Sequence, residues 1–255
     1  TRELIAVEKA GVLRKGRPAI IAEPNPPQTL VDAATERGAL AQFIGKDFGW
    51  QKSPDTPQQW GFWAKASDAS VFRRHGLPIP ALRGGYQLGN AAAALAALHA
   101  LNDRLPVSHG AVKSGLVSVE WPGRFQVLPG RPTTVLDVGH NAHAAIALER
   151  ALADMAYFPV TYAVFAMLKD KDIRSVVHAV KGRIDEWHIA PLPGTRGQDA
   201  EALAAALSDA GVCERSIHRH ASVADAFAAA RKLAAEADRI VVFGSFLTVA
   251  QVSGA

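Results

Sequence analysis

The second half of the chain alternates between short, continuously apolar runs and longer segments whose apolar residues recur at helical spacing. We predict strands for the first kind and helices for the second, because buried strands lack polar alternation whereas helices repeat about every 3.6 residues. The predicted strands are TTVLDVG, VTYAVFAML, WHIAPL and RIVVFGSFLTVA. The predicted helices are NAHAAIALERALADM, DIRSVVHAVKG, DAEALAAALSDAG and SVADAFAAARKLAAEA. This alternation is typical of an α/β fold with a parallel sheet covered on both faces, so we expect a Rossmann-like domain.

The first half has a mixed pattern. We predict helices over ELIAVEKAGVL, PPQTLVDAATERG, YQLGNAAAALAALHAL and SHGAVKSGLVSV, a buried strand over PAIIAE, and a β-like, loop-rich region over residues 39–82. The segment WPGRFQVLPGRP (121–132) interrupts both patterns with three Pro and two Gly around a short predicted strand, RFQV. Such a segment is typical of a domain boundary, so we expect one domain over residues 1–120 and a second over 125–255.

Composition narrows the class of protein. Of the 255 residues, 49% are hydrophobic and 20% are charged, which is typical of a globular chain with a sizeable core. A single cysteine, Cys213, permits no internal disulfide, so we expect a cytoplasmic protein. No apolar run reaches the roughly 18 residues of a membrane span, and a net charge of +4 without basic blocks does not favour nucleic acid. The chain begins without Met on a helical pattern, so we expect it to be the remainder of a longer protein.

Four loops are candidates for a functional site, because ligands bind at the carboxyl ends of the strands in open parallel sheets. They are DVGHN (137–141), MLKDKD (167–172), APLPGTR (190–196) and GSF (244–246). In the first loop, His140 and His143 are three residues apart, but zinc needs three or four protein ligands, and no Cys pair or HExxH motif accompanies them. A Ser245–His140–Asp137 hydrolase is disfavoured as well, because FGSFL lacks the GxSxG nucleophile turn.

A nucleotide site agrees better with the same loop. Asp137 follows a buried strand and could accept hydrogen bonds from ribose hydroxyls, whereas Asn141 suits the N-cap of the next helix. Asp137 could equally bind only the backbone of its own loop, and the residues leave both interpretations open. The phosphate-binding pattern GxxxxGK[ST] does not occur in the chain, so the phosphate loop of an ATP enzyme would have to lie outside it.

One lysine stands on a predicted apolar helix face. The spacing of Lys9 from Ile5, Val12 and Leu13 places it there. The residues alone favour a lysine that buries its stem and keeps its ammonium in water over a partly buried functional lysine.

Six segments in order carry a family resemblance. They are AVEKAGVLRKGRPAI, GNAAAALAAL, WPGRFQV, LDVGHNAHAA, MLKDKDI and VVFGSFLTVA. Over residues 1 to about 250 the chain resembles the second part of the folylpolyglutamate synthase/dihydrofolate synthase family of the Mur ligase superfamily. Two departures are Gly139, where the family has Ala, and Ala142, where it has Pro. The resemblance implies that residues 1–120 are the C-terminal part of a P-loop NTPase-like central domain and that 125–255 are the C-terminal ligase domain.

The resemblance also implies a chemistry and a set of residues. It implies an ATP- and Mg²⁺-dependent ligase that joins L-glutamate to dihydropteroate or a folate through an acyl phosphate. The phosphate loop and the metal ligands would lie upstream, so we expect no metal site within this chain and no activity from it alone. The implied roles are a carbamylated catalytic lysine at Lys9, adenine contact by Asn90, phosphate contact by Arg124, ribose contact by Asp137, and glutamate contact by His140 and Ser245. Asp170 and Lys171 are placed in the same glutamate-binding cleft, with no individual role assigned.

The expected partners are therefore small molecules: dihydropteroate or tetrahydrofolate, L-glutamate and ATP. We expect no nucleic-acid or membrane partner, and a monomer when the protein is complete. Two alternatives stay open from the sequence: another Mur-type amino-acid ligase of cell-wall precursor synthesis, and a non-catalytic module that binds a nucleotide or an amino acid.

Overall fold

A computed structural model describes residues 1–66 and 70–253 of the chain. These residues form two compact units. The first unit comprises Thr1–Ala81 and Gly85–Val119, and the second comprises Leu82–Gly84 and the chain from Glu120 onward. The domain boundaries proposed from sequence stay a prediction.

The first unit contains a two-stranded parallel sheet, a three-stranded antiparallel sheet and four helices in its described part. Its elements are α1 (Arg2–Ala10), β1 (Pro18–Ile21), α2 (Gln28–Glu36), β2 (Leu40–Phe43), β3 (Phe48–Lys52), β4 (Gln59–Lys65), β5 (Val71–Pro78), α3 (Gln87–Ala100) and α4 (His109–Ser118). Strand β1 pairs with β2, and β4 lies between β3 and β5.

Alternation in β4 builds the core of this unit. Trp60, Phe62 and Ala64 point inward and are at most 2% exposed, as the period of two in a half-buried strand requires. The indole of Trp60 also donates a 2.8 Å hydrogen bond to the carbonyl of Pro78, so its polar atom is satisfied inside the core. Helix α3 packs against the same cluster with Leu88, Ala92, Leu95 and Ala96, which share one helical face.

The second unit is a six-stranded sheet flanked by helices. Its elements are β6 (Gln126–Leu128), β7 (Thr133–Asp137), α5 (Ala142–Ala153), β8 (Thr161–Phe165), α6 (Ile173–Val180), β9 (Glu186–Ile189), α7 (Ala200–Asp209), β10 (Ile217–Arg219), α8 (Val223–Leu233), β11 (Arg239–Phe243) and α9 (Phe246–Ser253). The strand order is β10-β9-β8-β11-β7-β6, and all pairs are parallel except β6 with β7. The predicted α/β fold with a parallel sheet is confirmed.

Burial on both faces explains the continuously apolar strands. Every residue of β8 and β11 is buried. On one face, Phe165 and Phe243 pack in a cluster with residues of α5, α6 and α7. On the other face, Val164 and Val242 pack with α8 and α9. Since neither face meets water, no polar alternation remains along these strands.

Two sequence predictions for this unit were wrong, and one strand was missed. The run RIVVFGSFLTVA is not one strand: it leaves β11 at Phe243, and α9 begins at Phe246. The short strand RFQV was placed two residues early, because Phe125 has a φ of +46°, and strand β6 starts after it. Strand β10 was not predicted, since its three residues carry no pattern that distinguishes them from a loop.

Candidate functional site

The candidate site lies at the carboxyl edge of the second unit's sheet. Strand β11 separates β7 from β8, and Phe243 is in register with both Asp137 and Phe165. The chain passes from β7 over β11 to β8 and later returns to β11, so this edge is a topological switch point. Loops that follow such strands diverge and leave room for a ligand.

Asp137 ends β7 and is only 6% exposed. Its Oδ1 accepts a 2.7 Å hydrogen bond from the backbone N–H of Gly139, and its Oδ2 accepts a 3.0 Å bond from that of Phe125. Burial raises the pKa of the Asp137 carboxyl, although these two N–H donors and the nearby Arg124 and His140 oppose the shift. The structure therefore gives Asp137 a backbone-binding role, and its ribose contact stays a prediction.

The turn that carries Arg124 is bound to the loop after β7. The N–H of Val138 donates a 2.7 Å hydrogen bond to the carbonyl of Gly123. Two residues after Gly123, the N–H of Phe125 donates to the carboxylate of Asp137. Gly123 has a φ of +70°, and a Cβ there would lie 2.7 Å from Val138, so only glycine suits this turn. The guanidinium of Arg124 lies 5.8 Å from the ring centre of Phe246, which places it beside the start of α9.

His140 and Asn141 follow in the same loop. The Oδ1 of Asn141 accepts a 3.0 Å hydrogen bond from the N–H of Ala144, which makes Asn141 the N-cap of α5, as the sequence predicts. The Nδ1 of His140 lies 3.0 Å from the carbonyl of Val138. A carbonyl only accepts, so Nδ1 carries the proton, and Nε2 is the ring nitrogen available to a ligand. His143 is exposed on α5.

Ser245 and Gly244 form the turn between β11 and α9. Gly244 has a φ of +109°, and a Cβ on it would lie 2.5 Å from the carbonyl of Ala166, so the turn passes directly over the end of β8. The same carbonyl accepts a 2.7 Å hydrogen bond from the hydroxyl of Thr248, which fixes α9 in place. The Oγ of Ser245 accepts from the N–H of Leu247 at 2.9 Å, and within the described part of the chain its own hydroxyl proton has no acceptor and can be donated to a ligand.

A cleft of about 320 Å³ joins these loops. It is lined by His140, Leu168, Lys171, Arg196, Gly244, Ser245, Phe246 and Leu247. The ionisable side chains among them are His140, Lys171 and Arg196. Each of these residue types carries a positive charge when it is protonated. A volume near the lower end of the roughly 300–1,000 Å³ range of ligand pockets suits a small anionic molecule.

Three predicted residues, His140, Lys171 and Ser245, line this cleft, whereas Asp170 does not. The carboxylate of Asp170 instead accepts from Nη2 of Arg196 at 3.0 and 3.1 Å and pairs with Nζ of Lys171 at 3.2 Å. These hydrogen bonds hold the pKa of Asp170 below its usual value. Arg196 was missed as a site residue. Its only sequence signal is its place in the loop APLPGTR, which follows β9.

The remaining candidates, Lys9 and Asn90, belong to the first unit. Asn90 is exposed on α3 and donates a 3.0 Å hydrogen bond from Nδ2 to Oε1 of Gln87. The expectation that Lys9 lies against an apolar surface is wrong for the described chain: its side chain is 74% exposed, and Ile5 and Val12 on the same face are exposed too. Its proposed chemical role stays a prediction.

Within residues 1–66 and 70–253, we find no group of three or more His, Cys, Asp or Glu side chains placed to share a metal ion. In the same part of the chain, every helix is too short or too polar to cross a lipid bilayer.

Comparison with known proteins places this geometry in a family. Residues 123–246 match the family model for the Mur ligase glutamate ligase domain. Over 251 residues the chain is 39% identical to dihydrofolate synthase/folylpolyglutamate synthase of Escherichia coli (strain K12), covering 98% of this chain and 54% of that protein. The structure of E. coli FolC in complex with DHPP and ADP has a TM-score of 0.86 at 37% identity, over 100% of this chain and 56% of that one.

A further solved structure is described as bifunctional folylpolyglutamate synthase/dihydrofolate synthase with Mn, AMPPNP and L-glutamate bound. It has a TM-score of 0.86 at 37% identity, and the match covers 100% of this chain and 57% of that one. The chain thus spans a little over half the length of the relatives it matches, and the resemblance drawn from its six sequence segments is confirmed. The chain belongs to the dihydrofolate synthase/folylpolyglutamate synthase family of Mur ligases, and residues 123–246 are a glutamate ligase domain of that family.

Proposed function

We propose that the complete protein is an ATP-dependent ligase that adds L-glutamate to dihydropteroate or a folate, forming an amide through an acyl phosphate. The observation that carries the proposal is the basic cleft at the switch point of the glutamate ligase domain, where the loops of His140 and Ser245 meet. Relatives whose structures hold ADP, AMPPNP or L-glutamate support it. These relatives do not favour a ligase of cell-wall precursors.

The amino-acid end of the site uses the cleft. The hydroxyl of Ser245 has a proton to donate to a carboxylate, since its oxygen already accepts from the backbone of Leu247. A neutral His140 with its proton on Nδ1 offers only an acceptor at Nε2. His140 therefore suits the amine of the incoming amino acid, where it can take up the proton that the amine must lose. This assignment specifies the amine as the part of glutamate that His140 contacts, where the family resemblance implies only a glutamate contact.

The nucleotide end uses residues outside the cleft. Arg124 suits a phosphate, because its guanidinium is a planar, permanently charged donor on a turn held by backbone hydrogen bonds. Asp137 keeps one lone pair on each oxygen for ribose hydroxyls, and Asn90 is the proposed adenine contact. Lys9 is the proposed carbamylated lysine. Mg²⁺ would offset the negative charge of the phosphates, but the described residues offer no ligand set that fits it, so we assign none of them to the metal.

The proposed ligase reaction has two steps. A carboxylate oxygen of the folate-type substrate takes the terminal phosphoryl group of ATP, which gives an acyl phosphate and ADP. The amine of L-glutamate then attacks the acyl carbon. The bond from that carbon to the phosphate oxygen breaks, an amide forms, and phosphate and one proton are released.

We further propose that the first unit is the C-terminal part of the ATP-binding central domain and the second is the glutamate ligase domain. The complete protein would be a monomer in the cytoplasm, with small-molecule partners alone. We expect no glutamate-dependent ATP turnover from the 255-residue chain by itself, because phosphoryl transfer depends on a phosphate-binding loop and this chain contains no GxxxxGK[ST] pattern.

The test is ligase activity of the purified complete protein. It is incubated with ATP, Mg²⁺, isotope-labelled L-glutamate and either dihydropteroate or tetrahydrofolate, and products are identified by mass. We expect a product one glutamyl residue heavier and one ADP per amide formed. A UDP-muramyl acceptor serves as the control. Amide formation with that acceptor and none with either pterin would refute the proposal.

A further inference from the structure

The three-stranded sheet of the first unit covers the core with one of its two faces. Trp60, Phe62 and Ala64 of β4 point toward the core, so the alternate positions of the three strands lie on the opposite side of the sheet. These positions form the outer face, which consists of Gly49 and Gln51 of β3, Gly61, Trp63 and Lys65 of β4, and Val71, Arg73 and His75 of β5.

Trp63 forms a flat apolar plate on the outer face. It is in register with Gly49 of β3, and a Cβ on that glycine would lie 2.7 to 2.9 Å from atoms of the indole ring. The ring therefore lies directly across the backbone of β3, an approach that the absence of a side chain at Gly49 allows. Because Trp63 is half-buried, part of its ring remains open to solvent.

The outer face is basic. Strands β3, β4 and β5 contain four Lys or Arg and one His, but no Asp or Glu. Lys65, Arg73 and His75 are exposed, and within residues 1–66 and 70–253 none of the three makes an ion pair or a side-chain hydrogen bond. The basic excess of the chain lies in its first 119 residues, because acidic residues outnumber Lys and Arg after Val119. A face of this charge attracts anions.

These three side chains form a row along the seam between β4 and β5. Lys65 is in register with Val71, so Arg73 is its diagonal neighbour at roughly 7–8 Å. His75 follows Arg73 on the same face after roughly another 7 Å. Its Nδ1 would lie 3.8 Å from a Cβ on Gly61, so the imidazole stands beside a position that adds no side chain of its own.

We propose that the outer face binds the glutamyl chain of a folate that has received several glutamates, an inference that rests on the proposed function. Every added glutamyl residue keeps one free carboxylate and contributes two methylene groups. A γ-linked repeat has five backbone bonds, so successive carboxylates lie roughly 6 Å apart, close to the spacing of Lys65, Arg73 and His75. The carboxylates pair with this row, and the methylene groups pack on the indole of Trp63.

Single-stranded nucleic acid is the other polyanion with related chemistry, since it combines phosphates with bases that stack on aromatic rings. Proteins that bind it commonly stack successive bases on several aromatic side chains. Trp63 is the only Phe, Tyr or Trp among the eight residues of the outer face. This composition favours a short chain of carboxylates over a chain of bases.

The test measures the binding of a synthetic γ-linked tetraglutamate to the complete protein by calorimetry. One variant combines Lys65→Gln, Arg73→Gln and His75→Gln, and the control is Lys52→Gln. Lys52 is an exposed lysine of the same sheet, but it is in register with Trp60, which points to the core. Parallel titrations use free L-glutamate and an oligothymidylate with four phosphates.

We expect the triple variant to bind tetraglutamate about 10- to 100-fold more weakly than the unsubstituted protein, since each exposed charge pair contributes about two- to fivefold. Lys52→Gln should stay within about twofold, as should Arg73→Lys, which keeps the charge. The affinity for free L-glutamate should not change in any variant.

Ligase kinetics provide a second readout. In the triple variant, KM should rise for an acceptor that carries four glutamyl residues and should stay unchanged for one that carries a single glutamyl residue. A merely structural role of the outer face would affect both acceptors alike.

Three results would overturn the inference. Absent tetraglutamate binding, or equal affinity in the triple variant and the unsubstituted protein, would refute it and leave the proposed function standing. Tighter binding of oligothymidylate, lost in the triple variant, would assign the outer face to nucleic acid instead. If the complete protein has no ligase activity, the proposed function fails, and the inference that rests on it fails as well.

Discussion

The stability of the second unit should fall on acidification because of one buried histidine. His188 on β9 is 1% exposed, and its Nδ1 lies 2.9 Å from Nε2 of His220. Its ring stacks on that of His220 at a centroid distance of 5.0 Å, and the rings of His218 and Tyr162 are tilted against it at 4.8 and 6.0 Å. Burial, followed by the charges of His218 and His220, lowers the pKa of His188 from 6.5 to about 4.

The lowered pKa of His188 sets the size of the expected loss of stability. In the unfolded chain the imidazole takes up a proton near pH 6.5, whereas in the folded protein it does so only near pH 4. Between these values the unfolded state binds more protons, so the stability present above pH 6.5 is lost as the pH falls. A difference of 2.5 pKa units corresponds to about 3 kcal/mol in full, and to about 2 kcal/mol already at pH 5.

The surroundings of His188 define the control for the measurement. The carboxylate of Glu186 accepts a 2.8 Å hydrogen bond from Nε2 of His218. Burial, followed by the charge of His218, lowers the pKa of His220, and Asp225 opposes that shift, so His188 is not the sole source of pH dependence among the described residues. We therefore compare the pH dependence of two variants of the 255-residue chain, His188→Leu and His143→Leu. His143 is an exposed histidine on α5 and controls for the loss of an ordinary imidazole.

The assay is urea unfolding followed by tryptophan fluorescence in variants that keep Trp187, which is 1% exposed and adjacent to His188 on β9, as the only one of the five tryptophans, the others being replaced by Phe. Between pH 7 and pH 5, the unsubstituted chain should lose about 2 kcal/mol more unfolding free energy than His188→Leu does. His143→Leu should follow the unsubstituted chain. An identical pH dependence in His188→Leu and the unsubstituted chain would show that His188 titrates normally and that the reasoning is wrong.

Two further predictions concern the loop after β7. Asp137→Asn should lower the unfolding free energy by about 1–3 kcal/mol. The side-chain amide of Asn accepts only through its single oxygen, so the N–H of Gly139 or that of Phe125 is left unpaired. An unchanged urea midpoint would contradict the role given to this carboxylate. Ala142→Pro should raise the unfolding free energy by up to about 1 kcal/mol. Ala142 is the first residue of α5, where proline is well tolerated, and the extended backbone of Asn141, with a ψ of 165°, allows a proline to follow. A lower melting temperature of the variant would contradict this prediction.

Much of the second unit could be predicted from its sequence. Continuous apolar runs predict strands buried on both faces, and their alternation with helices predicts a parallel sheet. The rule that ligands bind at carboxyl strand ends then selects the loops of His140, Lys171 and Ser245, and the structure brings these three to one cleft. This works because side-chain period and strand direction are local properties of the chain.

The end of β11 could not be predicted in the same way. The run RIVVFGSFLTVA is apolar on both sides of the Gly-Ser turn: β11 is buried, α9 packs Val249 and Val252 into the same cluster, and its first residues Phe246 and Leu247 are apolar although they are exposed. Periodicity does not separate a buried strand from a buried helix that follows it. The break is decided by the contact of Gly244 with the carbonyl of Ala166, which comes from a different strand.

The same distinction holds within the site. The sequence by itself determined which polar residues stand at the strand ends and that Asn141 would cap α5, since both depend on neighbours a few positions away. Only the tertiary structure decided that the carboxylate of Asp137 accepts a hydrogen bond from the N–H of Phe125, 12 residues earlier in the chain. The same holds for the hydrogen bond from Arg196 to Asp170, which are 26 residues apart. The tertiary structure also decided that Lys9 is exposed. Burial and long-range hydrogen bonds depend on how separate segments pack together, and the spacing of residues along one segment carries no record of that packing.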